Sequence, residues 1–263
     1  MRYSVITINY NNKEGLKHTI ESVVCQTCTD FEFIIIDGGS TDGSVEIIRE
    51  YEEYITYWVS EEDHGIYHAM NKGVAKSHGE YCIFMNSGDC FYSQDILHNI
   101  SLIGINYDIV IGNVVSKDGI IISQLPNREI SLYHLYSGAI PHQGAFIKSK
   151  LLKETPYDES LKITADWKFF LFKIIKDNCS VNFINDIIAV YDTNGISTTN
   201  QTLMKEEKER VLKEFFPNRL LLDYQYFKES ECMTQLLTPQ LRKHYRIDRL
   251  IYNIAQILLR LIK

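Results

Sequence analysis

The chain has 263 residues, enough for one large domain or a domain with an appendage, and at 45% hydrophobic and 23% charged its composition is that of a soluble globular protein. A formal net charge of −7 argues against nucleic-acid binding by the chain as a whole. No run reaches the ~18 apolar residues of a spanning helix, Met1-Arg2-Tyr3-Ser4 leads straight into a strand rather than a signal peptide, and scattered cysteines with a lone Cys25-Gln26-Thr27-Cys28 predict a reduced, cytoplasmic protein without zinc.

Tyr3 to Asn9 reads as a buried strand, broken by Asn9-Tyr10-Asn11-Asn12. Leu16, Ile20, Val23 and Val24 then form a helical stripe. Phe31–Ile36 is a second strand, ending at Asp37-Gly38-Gly39-Ser40-Thr41-Asp42-Gly43-Ser44, with Val45, Ile47 and Ile48 opening the next helix. Strand and helix in alternation predict a largely parallel sheet covered by helices. Asp37 falls at the C-terminal rim of that sheet, where α/β proteins bind ligands. It can accept from a ribose hydroxyl or a base N–H; alternatively this is a turn in which Ser40 or Asp42 caps a helix.

Tyr57–Ser60 is a short strand followed by Glu61-Glu62-Asp63-His64-Gly65. Ile66, Ala69, Met70, Gly73 and Val74 make the next apolar stripe, with Tyr67, Asn71 and Lys72 off it. Lys72 is placed to pair with a phosphate or with the acidic loop, unless it is simply solvated. Tyr81–Met85 is another buried strand and runs into Asn86-Ser87-Gly88-Asp89. Asp89, with Asn86 and Ser87, offers hard oxygen ligands for Mg²⁺ or Mn²⁺, which take carboxylates together with substrate phosphates; a capped turn is the plainer alternative.

Four segments in this order resemble glycosyltransferase family 2, in particular its bacterial polysaccharide-assembly branch. They are Ser4 to Asn11, Ile36 to Ser44, Glu62 to Gly73 and Met85 to Asp89. The resemblance spans roughly residues 3 to 200. It implies a GT-A fold, a nucleotide-diphosphate sugar donor, a divalent metal and inversion at the anomeric carbon. By resemblance Asp37 holds the base or ribose, Thr7 and Asn9 line the nucleoside pocket, Asp63, Lys72, Asn86 and Ser87 belong to the donor side, and Asp89 is the metal ligand. Many members read Asp-Ser-Asp-Asp where this chain reads Asn86-Ser87-Gly88-Asp89, so two carboxylates are missing.

Asp108–Gly112 is a further strand. Residues 113–140 either shape an acceptor pocket or form a hairpin and a short helix. His142 and Gln143 precede another strand and resemble a His-Gln pair of this branch, in contact with diphosphate or acceptor; a structural histidine is the alternative. Thr164 can cap a helix carrying Asp166 in its first turn, where the helix dipole keeps a carboxylate ionised. The resemblance makes Asp166 the catalytic base. Val181–Ile184 and Ile187–Tyr191 read as short strands, and Asp192 to Ser197 resembles the family's Gly-Gly-Ile-Ser loop.

The expected organisation is a GT-A domain over 1–200 and a helical extension over 201–263. Mixed charges from Lys205 to Glu214 predict an exposed helix. Residues 240–263 interleave basic and apolar side chains, a pattern suited to the inner face of a membrane and a lipid-linked acceptor, or to a helix packed on protein or in a homodimer. The reading that follows is an inverting transferase moving a sugar to a saccharide or lipid-linked hydroxyl. Its rivals are a sugar-nucleotidyltransferase, which calls for a Gly-rich basic loop that Asn9-Tyr10-Asn11-Asn12-Lys13 lacks, and a catalytically degenerate nucleotide-sugar-binding subunit.

Overall fold

The computed structural model describes residues 2–103, 106–123, 130–193 and 200–242. The first half alternates strand and helix: β1 (Tyr3–Asn9), α1 (Lys13–Val24), β2 (Phe31–Asp37), α2 (Ser44–Glu50), β3 (Tyr57–Ser60), α3 (Ile66–Lys76) and β4 (Tyr81–Phe84). After it come β5 (Cys90–Phe91), α4 (Ile96–Ile103), β6 (Ile109–Ser116), β7 (Ile121–Ser123) and α5 (Leu132–Ser137). A 3₁₀ turn (His142–Gly144) leads into β8 (Ala145–Lys148), α6 (Ser149–Glu154) and α7 (Ala165–Phe170), which continues as a π-helical turn (Leu171–Lys176). The described part closes with β9 (Val181–Tyr191), α8 (Gln201–Phe215) and α9 (Asn218–Arg242).

The strands form one sheet in the order β3-β2-β1-β4-β8-β6-β9-β5, with β7 paired to β6. The β3-β2-β1-β4 half is parallel throughout, as its helical crossovers require. The other half is mixed. β8 runs antiparallel between β4 and β6, while β6 and β9 are parallel. The two short strands expected over 181–191 are one strand, β9, whose register against β6 shifts near Asn113. That irregularity replaces the predicted break.

The core lies on both faces of the parallel half. Leu16, Ile20 and Val23 of α1 are fully buried beside Val5, Phe33 and Ile35 of the strands. Each such side chain contributes ~1.5–3 kcal/mol by leaving water. On α3, Ala69, Met70, Gly73 and Val74 are buried as the stripe predicts. Gly73 lets the helix approach β1 closely, since a Cβ there would lie 2.4 Å from Ile6 Cγ2. Tyr67 departs from the expected pattern. It is 5% exposed, because α3 is covered on that side by the segment before α7.

The chain divides into two compact units, Met1–Val211 and Leu212–Lys263. The second unit therefore begins at Leu212 rather than at 201. Among its described residues α9 is the long element, and among described residues no helix is long and apolar enough to cross a membrane. The basic tail assigned to a membrane surface, beyond Arg242, lies outside the described residues, as does the stretch 194–199 of the Gly-Gly-Ile-Ser-like loop.

Candidate active site

β1, β2, β3 and β4 end together at one rim of the sheet, and the loops beyond them carry most of the predicted residues. Asp37 ends β2. It is wholly buried and accepts five bonds: from Asn9 Nδ2 (2.7 Å), the Ser40 hydroxyl (2.6 Å) and amide (2.9 Å), the Gly39 amide (3.2 Å) and the Ser60 hydroxyl (2.6 Å). Burial pushes its pKa up, but the Ser40, Ser60 and Asn9 bonds outweigh that and hold it below the ordinary aspartate value. Asp37 thus organises this corner rather than offering a free carboxylate. Ser40 is committed to Asp37, and Asp42 accepts the Ser44 amide ahead of α2. Beside them Asn9, 4% exposed, keeps its Oδ1 without a partner. Thr7 is a correction. It is fully buried and donates to the Met85 carbonyl (2.7 Å), so it supports the rim from beneath and cannot line a pocket.

Asp63 accepts the Gly65 amide at 2.8 Å and hangs over Gly38, where a Cβ would meet its Oδ2 at 2.5 Å. The β2 and β3 loops are therefore brought together. Lys72 takes the acidic-loop alternative, with Nζ 2.5 Å from Glu61 Oε1.

The Asn86–Asp89 loop is tied to α1. Asn12 Nδ2 donates to the Ser87 carbonyl (3.1 Å), and the Thr19 hydroxyl receives the Gly88 amide (3.0 Å) and donates to the Asp89 carbonyl (2.7 Å). Thr19 was not singled out by sequence, since a threonine within a helical stripe carries no signal. Asp89 itself is 4% exposed. Its Oδ1 accepts the Asp192 amide (2.8 Å) and its Oδ2 accepts Gln143 Nε2 (3.0 Å). Burial dominates these bonds and raises the Asp89 pKa to about 6. Gln143, 3% exposed, is thereby a holder of Asp89.

A divalent cation is compatible with this corner. Asp89 keeps a second lone pair on each oxygen, Asn86 Oδ1 is buried without a partner, and the Asp192 carboxylate stands beside Gly88 with Lys117 Nζ 3.2 Å away. Among the described residues no group of three His, Cys, Asp or Glu converges as a complete cage. Mg²⁺ and Mn²⁺ commonly bind through one or two carboxylates and substrate phosphates, so an incomplete set of hard oxygen donors suits them.

Asp166, in the first turn of α7, lies at the other side of the same corner. The Trp167 amide (2.8 Å) and the Tyr67 hydroxyl (2.8 Å) reach its Oδ1, and His142 Nδ1 lies 2.9 Å from its Oδ2. Burial acts to raise the Asp166 pKa, but His142, Tyr67 and the Trp167 amide bring it below the ordinary value. Burial likewise disfavours the imidazolium of His142, but Asp166 and the more distant Asp89 raise its pKa overall. The pair therefore stays ionised over a wider pH range than either group alone. His142 Nε2 meets Asn86 Nδ2 at 3.1 Å. Turned over, the Asn86 amide would offer its unpartnered Oδ1 to a protonated His142. A continuous chain Asn86–His142–Asp166–Tyr67 thus links the end of β4 to α7 and α3. His142, read from sequence as a diphosphate or acceptor contact or else a structural histidine, stands between Asn86 and Asp166; Tyr67 was missed because Ile66 appeared the better core residue.

The family model described as glycosyl transferase family 2 matches residues 4–177. The chain belongs to glycosyltransferase family 2. An uncharacterized glycosyltransferase of Mycobacterium tuberculosis is 32% identical over 210 residues, covering 74% of this chain and 76% of that protein. A PGL/p-HBAD biosynthesis glycosyltransferase of Mycobacterium bovis is 27% identical over 225 residues, covering 80% of this chain and 83% of its own length. Among solved structures, S. aureus TarS 1–349 in complex with UDP-GlcNAc superposes with a TM-score of 0.62 at 19% identity, covering 76% of this chain and 61% of that one. The mannosyltransferase PcManGT from Pyrobaculum calidifontis, in complex with GDP-Man and Mn²⁺, gives 0.56 at 19% identity, covering 72% and 56%. The fold is thereby GT-A, and the chain spans only part of these structural neighbours.

Proposed function

We propose that this family 2 member is an inverting glycosyltransferase moving a sugar from a nucleotide-diphosphate donor to a hydroxyl of a saccharide or lipid-linked acceptor in cell-surface polysaccharide assembly. The observation that carries the reading is the hydrogen-bonded chain from Asn86 through His142 to Asp166. It sets a half-buried, ionised carboxylate across from the loop expected to face the donor phosphates.

Asp166 is the base that takes the proton of the acceptor hydroxyl as it attacks the anomeric carbon, a role worth ~10²–10⁴ in rate. His142 and Tyr67 hold its carboxylate in place and in the anionic state. Asn9 Oδ1, buried and unpartnered, is an acceptor for a base N–H, and Asp37 acts through the Asn9, Ser40 and Ser60 network it anchors. Asp89, with Asp192 at hand, would hold Mg²⁺ or Mn²⁺, which supplies charge neutralisation for the departing diphosphate. The basic, apolar sequence over 240–263 supports a place at the inner membrane face.

The test is a thermal-shift panel of UDP, GDP, CDP and TDP with and without Mn²⁺, followed by turnover of the sugar nucleotides of the base that binds. One nucleotide should stabilise the protein, more so with Mn²⁺, and ligand at a hundred times its Kd gives ~2.7 kcal/mol. Asp166→Asn should keep that shift and lose ~10²–10⁴ in kcat. A nucleotide shift with no turnover of the matching sugar nucleotides would favour the degenerate-subunit reading, and no shift with any nucleotide would overturn the donor assignment.

A further inference from the structure

The charged face of α8 holds one residue that is not solvated. Glu207 is 6% exposed, and its carboxylate accepts from three successive backbone amides: Lys162 (2.7 Å), Ile163 (3.1 Å) and Thr164 (3.2 Å). The Thr164 hydroxyl donates to it as well, at 3.0 Å. Thr164 stands at the N-cap of α7 but caps nothing with its side chain, which contradicts its predicted role; the hydroxyl is turned to Glu207 instead. The neighbouring Lys208 lies over the Trp167 ring (5.0 Å) and donates to the Gly138 carbonyl (3.0 Å), so α8 grips both ends of this region.

The segment that Glu207 grips is the one that presents Asp166. Ile163 is held from two sides, its amide by Glu207 and its carbonyl by the Tyr67 hydroxyl at 2.7 Å. That same hydroxyl reaches Asp166 Oδ1. A shift of 162–164 therefore moves Thr164, the first turn of α7 and the Tyr67 contact together. Four hydrogen bonds from neutral donors to one buried carboxylate are stronger than ordinary loop contacts, and no ligand is needed to explain them.

We infer that Glu207 is a positioning residue for Asp166, setting the carboxylate against His142 from a helix that lies beyond residue 177, where the family match ends. The inference rests on the reading of Asp166 as base. Glu207 touches neither donor nor acceptor and acts only through the 162–164 segment.

The experiment compares Glu207→Gln and Glu207→Ala with wild type and with Glu206→Gln, an exposed control on the same helix. Two readouts are taken on each folded variant: hydrogen exchange of the Trp167 amide, which donates to Asp166 Oδ1, and kcat and KM with whichever of UDP-GlcNAc or GDP-mannose the wild type turns over in the presence of Mn²⁺. Loosening the segment weakens the hold on Asp166. Exchange of the Trp167 amide should therefore speed up ~10–100-fold, with kcat down ~10–100-fold and donor KM within about twofold. Alanine should show the larger effect and Glu206→Gln none. Should Glu207→Ala fail to fold, Glu207→Gln decides. An unchanged Trp167 exchange rate in a folded Glu207 variant overturns the inference, whatever the activity does. A donor KM that rises as much as kcat falls overturns it too. If the wild type turns over no donor, the base reading fails by itself, while Trp167 exchange still decides whether Glu207 sets the Asp166 turn.

Discussion

Asp89→Asn should make the protein more stable and less able to use metal. Asp89 is 4% exposed, and burial raises its pKa from 3.8 to about 6. Roughly two units at 1.36 kcal/mol each is about 3 kcal/mol by which ionised Asp89 disfavours the folded state above pH ~6. The sign follows from proton binding. The folded carboxyl holds its proton to higher pH than the unfolded one, so this group makes stability fall as pH rises between about 4 and about 6. Asparagine fits the site. Its Oδ1 can accept the Asp192 amide, and its Nδ2 can face Gln143 once that amide turns over to present oxygen. At pH 7.5 without divalent cations the variant should gain up to about 3 kcal/mol, or roughly 6–12 °C in Tm for a chain of this size. Its stability should lose the decline between pH 4 and 6. Thermal and urea unfolding across pH 4–8 measure both, and Mn²⁺ should raise the Tm of wild type alone. A variant less stable than wild type at pH 7.5, or one keeping the same pH slope, would refute the account of Asp89 as a desolvated anion.

Tyr67→Phe removes the hydroxyl shared by Ile163 and Asp166. It should lower kcat ~10-fold, with the nucleotide thermal shift unchanged; an unaltered kcat would separate Tyr67 from the base. Gly73→Ala, a change that usually favours a helix by ~1 kcal/mol, should instead cost ~1–3 kcal/mol in urea unfolding, because its Cβ meets Ile6 Cγ2 at 2.4 Å. Glu32, 1% exposed, accepts from the Ser4 hydroxyl (2.6 Å) and from the His78 and Gly79 amides. Burial raises its pKa most, but those bonds together leave it below the ordinary glutamate value. It thus contributes stability that is present above the unfolded-state pKa and lost as pH falls. Glu32→Gln should cost ~1–3 kcal/mol at neutral pH and flatten the acid side of the stability curve; equal losses at pH 7 and pH 3.5 would contradict this.

The parallel half of the sheet was legible because each of its strands is a continuous apolar run ended by Asn, Asp or Gly, and each crossover helix keeps a 3.6-residue stripe. The mixed half was not, because nothing local to Ala145–Lys148 states that it inserts antiparallel between β4 and β6. The rim residues followed the same division. Asp37, Asp89 and Asp166 stand where strand ends and a helix start place them, so periodicity located them, while the roles assigned to them came from the family resemblance. What holds them was hidden. Gln143, Thr19, Tyr67 and Glu207 act across sequence separations of 43 to 99 residues only because the sheet folds their elements together, or they interrupt a pattern rather than make one. Glu207 lay within a run of alternating charges that reads as solvated. Thr7 was misplaced for the opposite reason. Its motif sits at the rim, but Thr7 lies two residues below Asn9 on the same face of β1, deep enough to be fully buried against the Met85 carbonyl.

Gly88 has a φ of +103°, and the space a side chain would fill there is held by Asp192, whose Oδ2 lies 2.6 Å from the missing Cβ. The Asp192 amide in turn binds Asp89. Positions 88 and 192 are therefore epistatic. An aspartate introduced at 88 toward the Asp-Ser-Asp-Asp form meets both a strained backbone and an occupied volume, with like charge at close range. A redesign of the loop therefore has to treat the two positions as a single unit of change.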